Sequence, residues 1–147
     1  MMQLYLYDFS EFSDVLVDEH ALFGDSEFIE QQFGAENITY VFRVDGVAAG
    51  FAIISHESWL SQNKNVTDMA QFFVMRMFRR TGVGSVAAQR LFNTYAGNWE
   101  VRVIEENLHA LSFWRKTIDS FTNNKYKEET IDDSEEPGTV FRFKSPE

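Results

Sequence analysis

The stretch FFVMRMFRRTGVGSVAAQRL, positions 72–91, limits what this chain can fold into more than any other. The run over 71–77 is short, rich in large apolar residues and bounded by a breaker, which predicts a buried strand. Beyond it Val83, Ala87, Leu91 and Tyr95 recur at helical spacing, and Gly97 stands where such a helix stops. A strand therefore bends through Arg79, Arg80, Thr81, Gly82, Val83 and Gly84 into a helix. The first N–H groups of a helix lack internal partners and carry the positive end of its dipole, so they suit a phosphate. A side chain at Gly82 or Gly84 would keep such an anion away from the backbone. Charge agrees with this: the chain carries −10, yet it has no acid between Asp68 and Glu100, where Arg76, Arg79, Arg80 and Arg90 all lie. The competing reading is a plain helix-entry turn with solvated arginines.

Two familiar phosphate loops are tested first. A P-loop places Lys and then Ser or Thr directly after its last glycine; here Ser85 and Val86 follow Gly84, and the match fails. The dinucleotide fingerprint is closer, since Gly82, Gly84 and Ala87 fit its spacing and Glu105 follows at a suitable distance. Against it, the glycines lie in the second half of the chain, and what remains is too short for two mononucleotide-binding halves. Nicotinamide-dependent redox chemistry thus stays as a third reading.

The element Arg79-x-x-Gly82-x-Gly84, five residues after Val74, resembles the diphosphate loop (Q/R-x-x-G-x-G/A) of the GNAT superfamily of acetyl-CoA-dependent N-acetyltransferases. Asn107-Leu108-His109-Ala110 is similar to the N-x-x-A that opens the next helix of that family, and the likeness is specific over residues 66–121. The resemblance implies an α/β (α+β) fold, a mixed twisted sheet of about six to seven strands with about four helices and a splayed parallel pair at its centre. It implies acetyl-CoA as co-substrate, lying along the backbone of Phe72, Phe73 and Val74. Its phosphates would meet Arg79, Arg80, Thr81, Gly82, Val83, Gly84 and Ser85, and Asn107 belongs to the same set.

Composition sets the outer limits. The length of 147 residues predicts a single domain over 1–147. The chain has no cysteine, which rules out disulfides and a thiol nucleophile, and its three histidines are scattered, so no metal site is expected. Net negative charge argues against a nucleic-acid surface and is compatible with a cationic amine. With no signal-like N-terminus and no bilayer-length apolar run, a cytoplasmic location is expected.

In chain order, Gln3 to Tyr7 alternates as a first strand would, Ser10 is a cap for a short helix reaching Val17, and Asp25-Ser26 opens another helix that stops at Gly34. Phe12, Phe23 and Phe28 are expected as walls of the acceptor site. Residues 38–44 and 47–54 form a hairpin around Asp45-Gly46. Residues 55–65 are polar, carrying His56, Glu57, Ser58, Trp59 and Lys64, and read as a loop. A further strand over 99–104, a helix over 107–118 with Ala110, Trp114 and Ile118 inward, and a hairpin of 124–129 with 139–144 around an acidic turn complete the chain.

Acyl transfer to an amine needs a base, donors for the oxyanion and a proton for the departing thiolate. Gln71 cannot titrate where the family often has a carboxylate, which leaves Asp68 or His56 as the base, or a water chain. Backbone N–H near Met75 is expected to serve the oxyanion. The family's frequent acid, a Tyr seven residues after the helix-opening Asn, is Trp114 here, so the thiolate leaves unassisted, or Tyr95, Tyr40 or Tyr126 substitutes, or the protein is a weak catalyst. The resemblance implies an N-acetyltransferase acting on a small or peptidyl amine, as monomer or homodimer. The alternative is an acyl-CoA-binding sensor or interaction module without turnover.

Overall fold

The computed structural model describes residues 1–61, 65–132 and 137–146. A six-stranded sheet forms its centre, made of β1 (Ile38–Val44), β2 (Val47–Ser55), β3 (Val66–Val74), β4 (Gly97–Ile104), β5 (Tyr126–Ile131) and β6 (Gly138–Ser145) in the order β1-β2-β3-β4-β6-β5. Among the described residues four α-helices flank it: α1 (Met2–Phe9), α2 (Ser26–Gln32), α3 (Val83–Thr94) and α4 (Leu108–Thr122). No helix among these residues is long and apolar enough to cross a membrane.

The first hairpin follows its turn chemistry. Asp45 (φ 49°) and Gly46 (φ 79°) are both left-handed, as a type I′ turn requires, and Val44 pairs with Val47. Every neighbouring pair is antiparallel except β3 with β4, which α3 joins in parallel. That pair is registered only at Val66↔Asn98, Thr67↔Trp99 and Asp68↔Glu100, although β3 runs on to Val74 and β4 to Ile104. At the same level β3 carries a bulge: Ile54 pairs with Met69 and Ile53 with Gln71, leaving Ala70 extra. A bulge bends its strand. Because β4 stays paired with β6 along its whole length, β3 bends away from it and the sheet splits at Asp68.

Buried aromatics hold the sheet on one side against α3 and α4. Phe92, Trp99, Trp114, Phe141 and Phe143 form one cluster with Leu91 and Ile118. The other side is smaller, with Met2 and Leu6 of α1 packed on Phe51, Ile53 and Phe73. Fully burying a side chain of this size contributes about 1.5–3 kcal/mol, so the α3–α4 side carries most of the apolar stabilisation.

Several expectations are corrected. Residues 3–7 lie in a helix, not a strand, because the buried residues are Met2 and Leu6, spaced four apart, with Tyr5 packed beside them. No helix forms from Ser10 to Val17; that stretch is irregular and ends in an isolated bridge between Val17 and Phe23. The central strand begins at Val66 and stops at Val74, after which Arg76–Phe78 make a short 3-10 turn. Polar Thr67 and Asp68 hid its start, since β2 supplies a ladder on one side and β4 on the other. The buried face of α3 is Ala88, Leu91 and Phe92, rotated from the expected stripe, and Gly97 (φ 109°) opens β4 instead of closing the helix. The closing hairpin is β5 with β6; of its acidic turn, residues 133–136 lie outside the described residues, as does Lys64 of the polar loop.

Candidate active site

Where the parallel strands part, two carboxylates are buried side by side. Asp68 and Glu100 are registered partners, each 2 % exposed. Trp99 and Val101 point toward α3 and α4, so Glu100 between them faces the other side of the sheet, and Asp68 with it. Asp68 Oδ2 accepts a hydrogen bond from Ser55 Oγ at 3.2 Å, and Oδ1 accepts one from Trp59 Nε1 at 3.2 Å. Burial pushes its carboxyl up to about 7 from the usual 3.8; those two hydrogen bonds oppose the rise, while the charges of Glu100 and Glu57 add to it. Glu100 is better satisfied. Ser58 Oγ donates to both of its oxygens (3.0 and 3.1 Å), Trp59 N donates to Oε2 (2.8 Å), and Arg142 Nε lies 3.8 Å away. An acid poised near neutrality at the strand split is a candidate proton acceptor.

His56, the other base expected from the sequence, is exposed. Its Nδ1 lies 3.4 Å from Val66 O and its ring meets Tyr95 at 6.4 Å. Tyr95 packs with the α3–α4 cluster, so His56 and Asp68 turn to opposite sides of the sheet.

The glycine bend starts α3. Gly82 is its N-cap, left-handed at φ 89°, and the first intrahelical bond is Val86 N to Gly82 O at 3.0 Å. The N–H groups of Val83, Gly84 and Ser85 therefore head the helix without intrahelical partners. A Cβ built on Gly82 meets nothing within 4 Å, so the space outside the bend is open. The expectation for Gly84 is corrected: its Cβ would lie 3.2 Å from the Phe113 ring and 3.4 Å from Val74 Cγ2, so the missing side chain lets α3 pack on α4 and β3. Arg80 is also left-handed at φ 62°, Thr81 Oγ1 donates to Phe78 O at 2.6 Å, and Ser85 Oγ shares a 3.0 Å hydrogen bond with Thr117 Oγ1.

The cationic island is partly occupied. Arg76 donates to Asp8 Oδ1 through Nε (3.2 Å) and Nη2 (2.7 Å), and Arg79 Nη2 binds Asp8 Oδ2. Arg79 also donates from Nε to Val74 O at 2.7 Å and lies over the Phe73 ring. Partial burial raises the Asp8 carboxyl, but its bonds to Arg79 and Arg76 outweigh that and leave it below the ordinary value. Arg79 thus ties the bend to α1.

One further expectation changes. Met75 N donates to Ala49 O at 2.8 Å and is not available to an oxyanion. Antiparallel alternation from that pair turns the amide of Phe73 toward β2, and those of Phe72 and Val74 toward the gap beside β4. Asn107 Oδ1 accepts from Ala110 N at 3.0 Å and caps α4. Trp114 is 5 % exposed, packed against Phe72, Phe92 and Phe113. Of the tyrosines, Tyr40 and Tyr95 bond each other at 2.7 Å on the α3–α4 side, and Tyr126 donates to Glu128 from the edge strand β5. None of the three meets Asp68. Among the expected acceptor walls, Phe23 packs on the α1 side, held by reciprocal bonds with Gln3 (2.8 and 2.9 Å), while Phe28 is 37 % exposed.

Sequence reasoning missed Glu100, Ser55 and Asp8. A signal for Glu100 exists: it is a lone acid in the apolar alternation Trp99, Val101, Val103 of a predicted strand. Asp8 was not findable, because its role depends on α1 being a helix.

A mixed sheet whose parallel pair β3–β4 splits after three registered pairs, followed by a glycine bend heading a helix, defines an α/β protein with a gap at the centre of its sheet. A family model, the acetyltransferase (GNAT) family, matches residues 3–118. The chain belongs to this family of acyltransferase enzymes. Solved structures agree in fold. The ribosomal-protein-S18-alanine N-acetyltransferase of Escherichia coli superposes with a TM-score of 0.60 at 14 % identity, covering 87 % of this chain and 81 % of the other. A GNAT family acetyltransferase of Elizabethkingia anophelis with acetyl-CoA bound gives 0.58 at 12 % identity over 82 % and 83 %. A Bacillus subtilis acetyltransferase in complex with CoA gives 0.58 at 13 % over 81 % and 84 %. A search of curated proteins by sequence returned no match.

Proposed function

We propose that this chain moves an acetyl group from acetyl-CoA to a primary amine of a small-molecule or peptidyl acceptor, with Asp68 as the proton acceptor. The observation that carries the reading is the placement of a buried carboxyl, raised to about 7, at the point where β3 leaves β4. The residues present fit the co-substrate. Open space outside Gly82 and the amides of Val83, Gly84 and Ser85 suit a diphosphate, and the outward amides of Phe72 and Val74 suit the amide groups of a pantetheine arm. Acetyl-CoA, when bound, supplies an activated acyl carbon.

The work of the chain's own residues then follows. An amine of pKa about 10 arrives mostly protonated, and the pair Asp68 and Glu100 favours that cation at the split. Asp68 takes one proton of the ammonium, the freed nitrogen bonds to the acyl carbon as the carbon–sulfur bond breaks, the second proton of that nitrogen passes to solvent water, and the sulfur leaves as thiolate. The two gap-facing amides of β3 are also the available donors for the carbonyl oxygen, so the pantetheine arm and the oxyanion share them. Tyr40, Tyr95 and Tyr126 bond elsewhere, so none of them is assigned to protonate the thiolate, which departs to solvent.

One observation favours a second reading, an acyl-CoA-binding module without turnover: the position of the family's frequent acid is the buried Trp114. Titration with acetyl-CoA followed by free-thiol release over a panel of amines separates the two. Binding with amine-dependent thiol release supports the enzyme; binding without release from any amine supports the module; no binding rejects both.

A further inference from the structure

Trp59 touches both buried carboxylates, and it does so with two different donors. Its main-chain N–H reaches Glu100 Oε2 at 2.8 Å and its indole Nε1–H reaches Asp68 Oδ1 at 3.2 Å. Ser58 Oγ fixes the preceding residue on both Glu100 oxygens and also receives the N–H groups of Leu60 (3.2 Å) and Ser61 (3.1 Å). The Arg102 guanidinium lies over the Trp59 ring at 4.3 Å. Glu100 is therefore the seat on which this loop is built, and the indole is its reach toward Asp68.

The chemistry of the donors decides which oxygen of Asp68 can titrate. An indole N–H donates only; it can never accept. Oδ1, bound to it, stays an acceptor whether Asp68 is charged or neutral. A serine hydroxyl both donates and accepts and can rotate between the roles, so Ser55 serves Oδ2 in either state. We propose that Trp59, seated on Glu100, is a positioning residue that reserves Oδ1 of Asp68 and directs the proton to Oδ2, where Ser55 turns from donor to acceptor. This rests on the reading of Asp68 as the base, but the arrangement itself is testable without turnover.

The groups facing Asp68 are Ser55 from β2, Glu57 and Trp59 from the loop, and Glu100 from β4, with Arg142 of β6 behind Glu100. The indole bond favours the charged carboxylate, whereas the Glu100 charge disfavours it. Removing them must therefore move the titration in opposite directions. Trp59→Phe keeps the main-chain bond to Glu100 and deletes only the indole donor, raising the midpoint of Asp68; Glu100→Gln removes the charge and lowers it. A purely structural role would not give opposite shifts.

The experiment follows the indole N–H signals of the protein against pH by NMR. The chain has three tryptophans, and the Trp59 signal is the one lost in Trp59→Phe. The expected result is a Trp59 signal that titrates in the wild type, becomes flat in Asp68→Asn, and titrates at lower pH, by about half a unit or more, in Glu100→Gln. In Trp59→Phe, which lacks that reporter, the carboxyl carbon signal of Asp68 is followed instead and its midpoint moves up, as does the acid limb of kcat/KM. A flat wild-type signal, or one that still titrates in Asp68→Asn, overturns the proposal, as does a shift of both variants in one direction. Should Glu100→Gln not fold, the Asp68→Asn and Trp59→Phe results decide it. A titrating indole in a protein that releases no thiol with any amine would overturn the acyl-transfer reading and leave the bracket standing.

Discussion

Asp68 is the residue at which burial and chemistry pull hardest against each other. Its carboxyl is raised in the folded chain to about 7, so between about 4 and 7 the native state binds a proton that the unfolded chain has released. Stability contributed by the neutral form is present at low pH and is lost as pH rises through that window, by an amount on the order of 4 kcal/mol for three units. Asp68→Asn removes the titration. The variant is expected to gain stability over the wild type between pH 5 and pH 8 in denaturant unfolding while losing acetyl transfer at least a hundredfold. The two glycines of the bend separate in the same way. Gly82→Ala meets no atoms but must hold φ 89°, costing about 1 kcal/mol, and its Cβ enters the anion space, so affinity for CoA is expected to fall at least tenfold. Gly84→Ala crowds Phe113 and is expected to cost about 1–3 kcal/mol while CoA affinity stays within a few fold. Calorimetric titration with thermal melting of both variants checks the contrast.

At the scale of elements, the clasp between α1 and the bend is the least expected contact. Asp8 holds Arg76 and Arg79, both of which the sequence places beside the glycines as free cations. Asp8→Ala releases both. Because the ion pairs are largely exposed, the loss of stability is expected to be small, whereas CoA binds more tightly, with a steeper dependence on salt, as Arg76 and the end of the Arg79 guanidinium are returned to the diphosphate. A titration at two ionic strengths reads both. The elements themselves differ in how far the sequence reveals them. The β1–β2 hairpin, the strand–bend–helix and the capped α4 are each specified by local chemistry: Asp45-Gly46, Gly82 and Asn107 satisfy backbone requirements where they stand. Residues 1–25 are not, since Leu4, Leu6 and the tyrosines fit an alternating pattern as well as a helical one, and only packing of Met2 and Leu6 on Phe51 and Ile53 decides between them. The candidate site shows the same division. The bend was legible as a run of residues; Asp68 and Glu100 are each visible locally, but their pairing arises from the register of β3 on β4, which joins positions 32 apart.

Across the whole molecule, the fold amounts to two half-sheets, β1–β3 and β4–β6, held at the middle by three rungs and by the helices laid over the aromatic side. Past Asp68 the flank of β3 has no strand beside it among the described residues, so the outward amides of Phe72 and Val74 are expected to exchange with solvent deuterium faster than that of Phe73, which sits in the β2 ladder. Saturation with CoA is expected to slow the first two and leave the third nearly unchanged. Equal protection of all three in the free protein would place a strand in the gap. A polyamide arm lying there would do for β3 what a neighbouring strand does elsewhere. The co-substrate would then act as a temporary seventh strand, splinting two leaves that share only a short spine, and the protein would be at its stiffest when charged for reaction and at its loosest when spent.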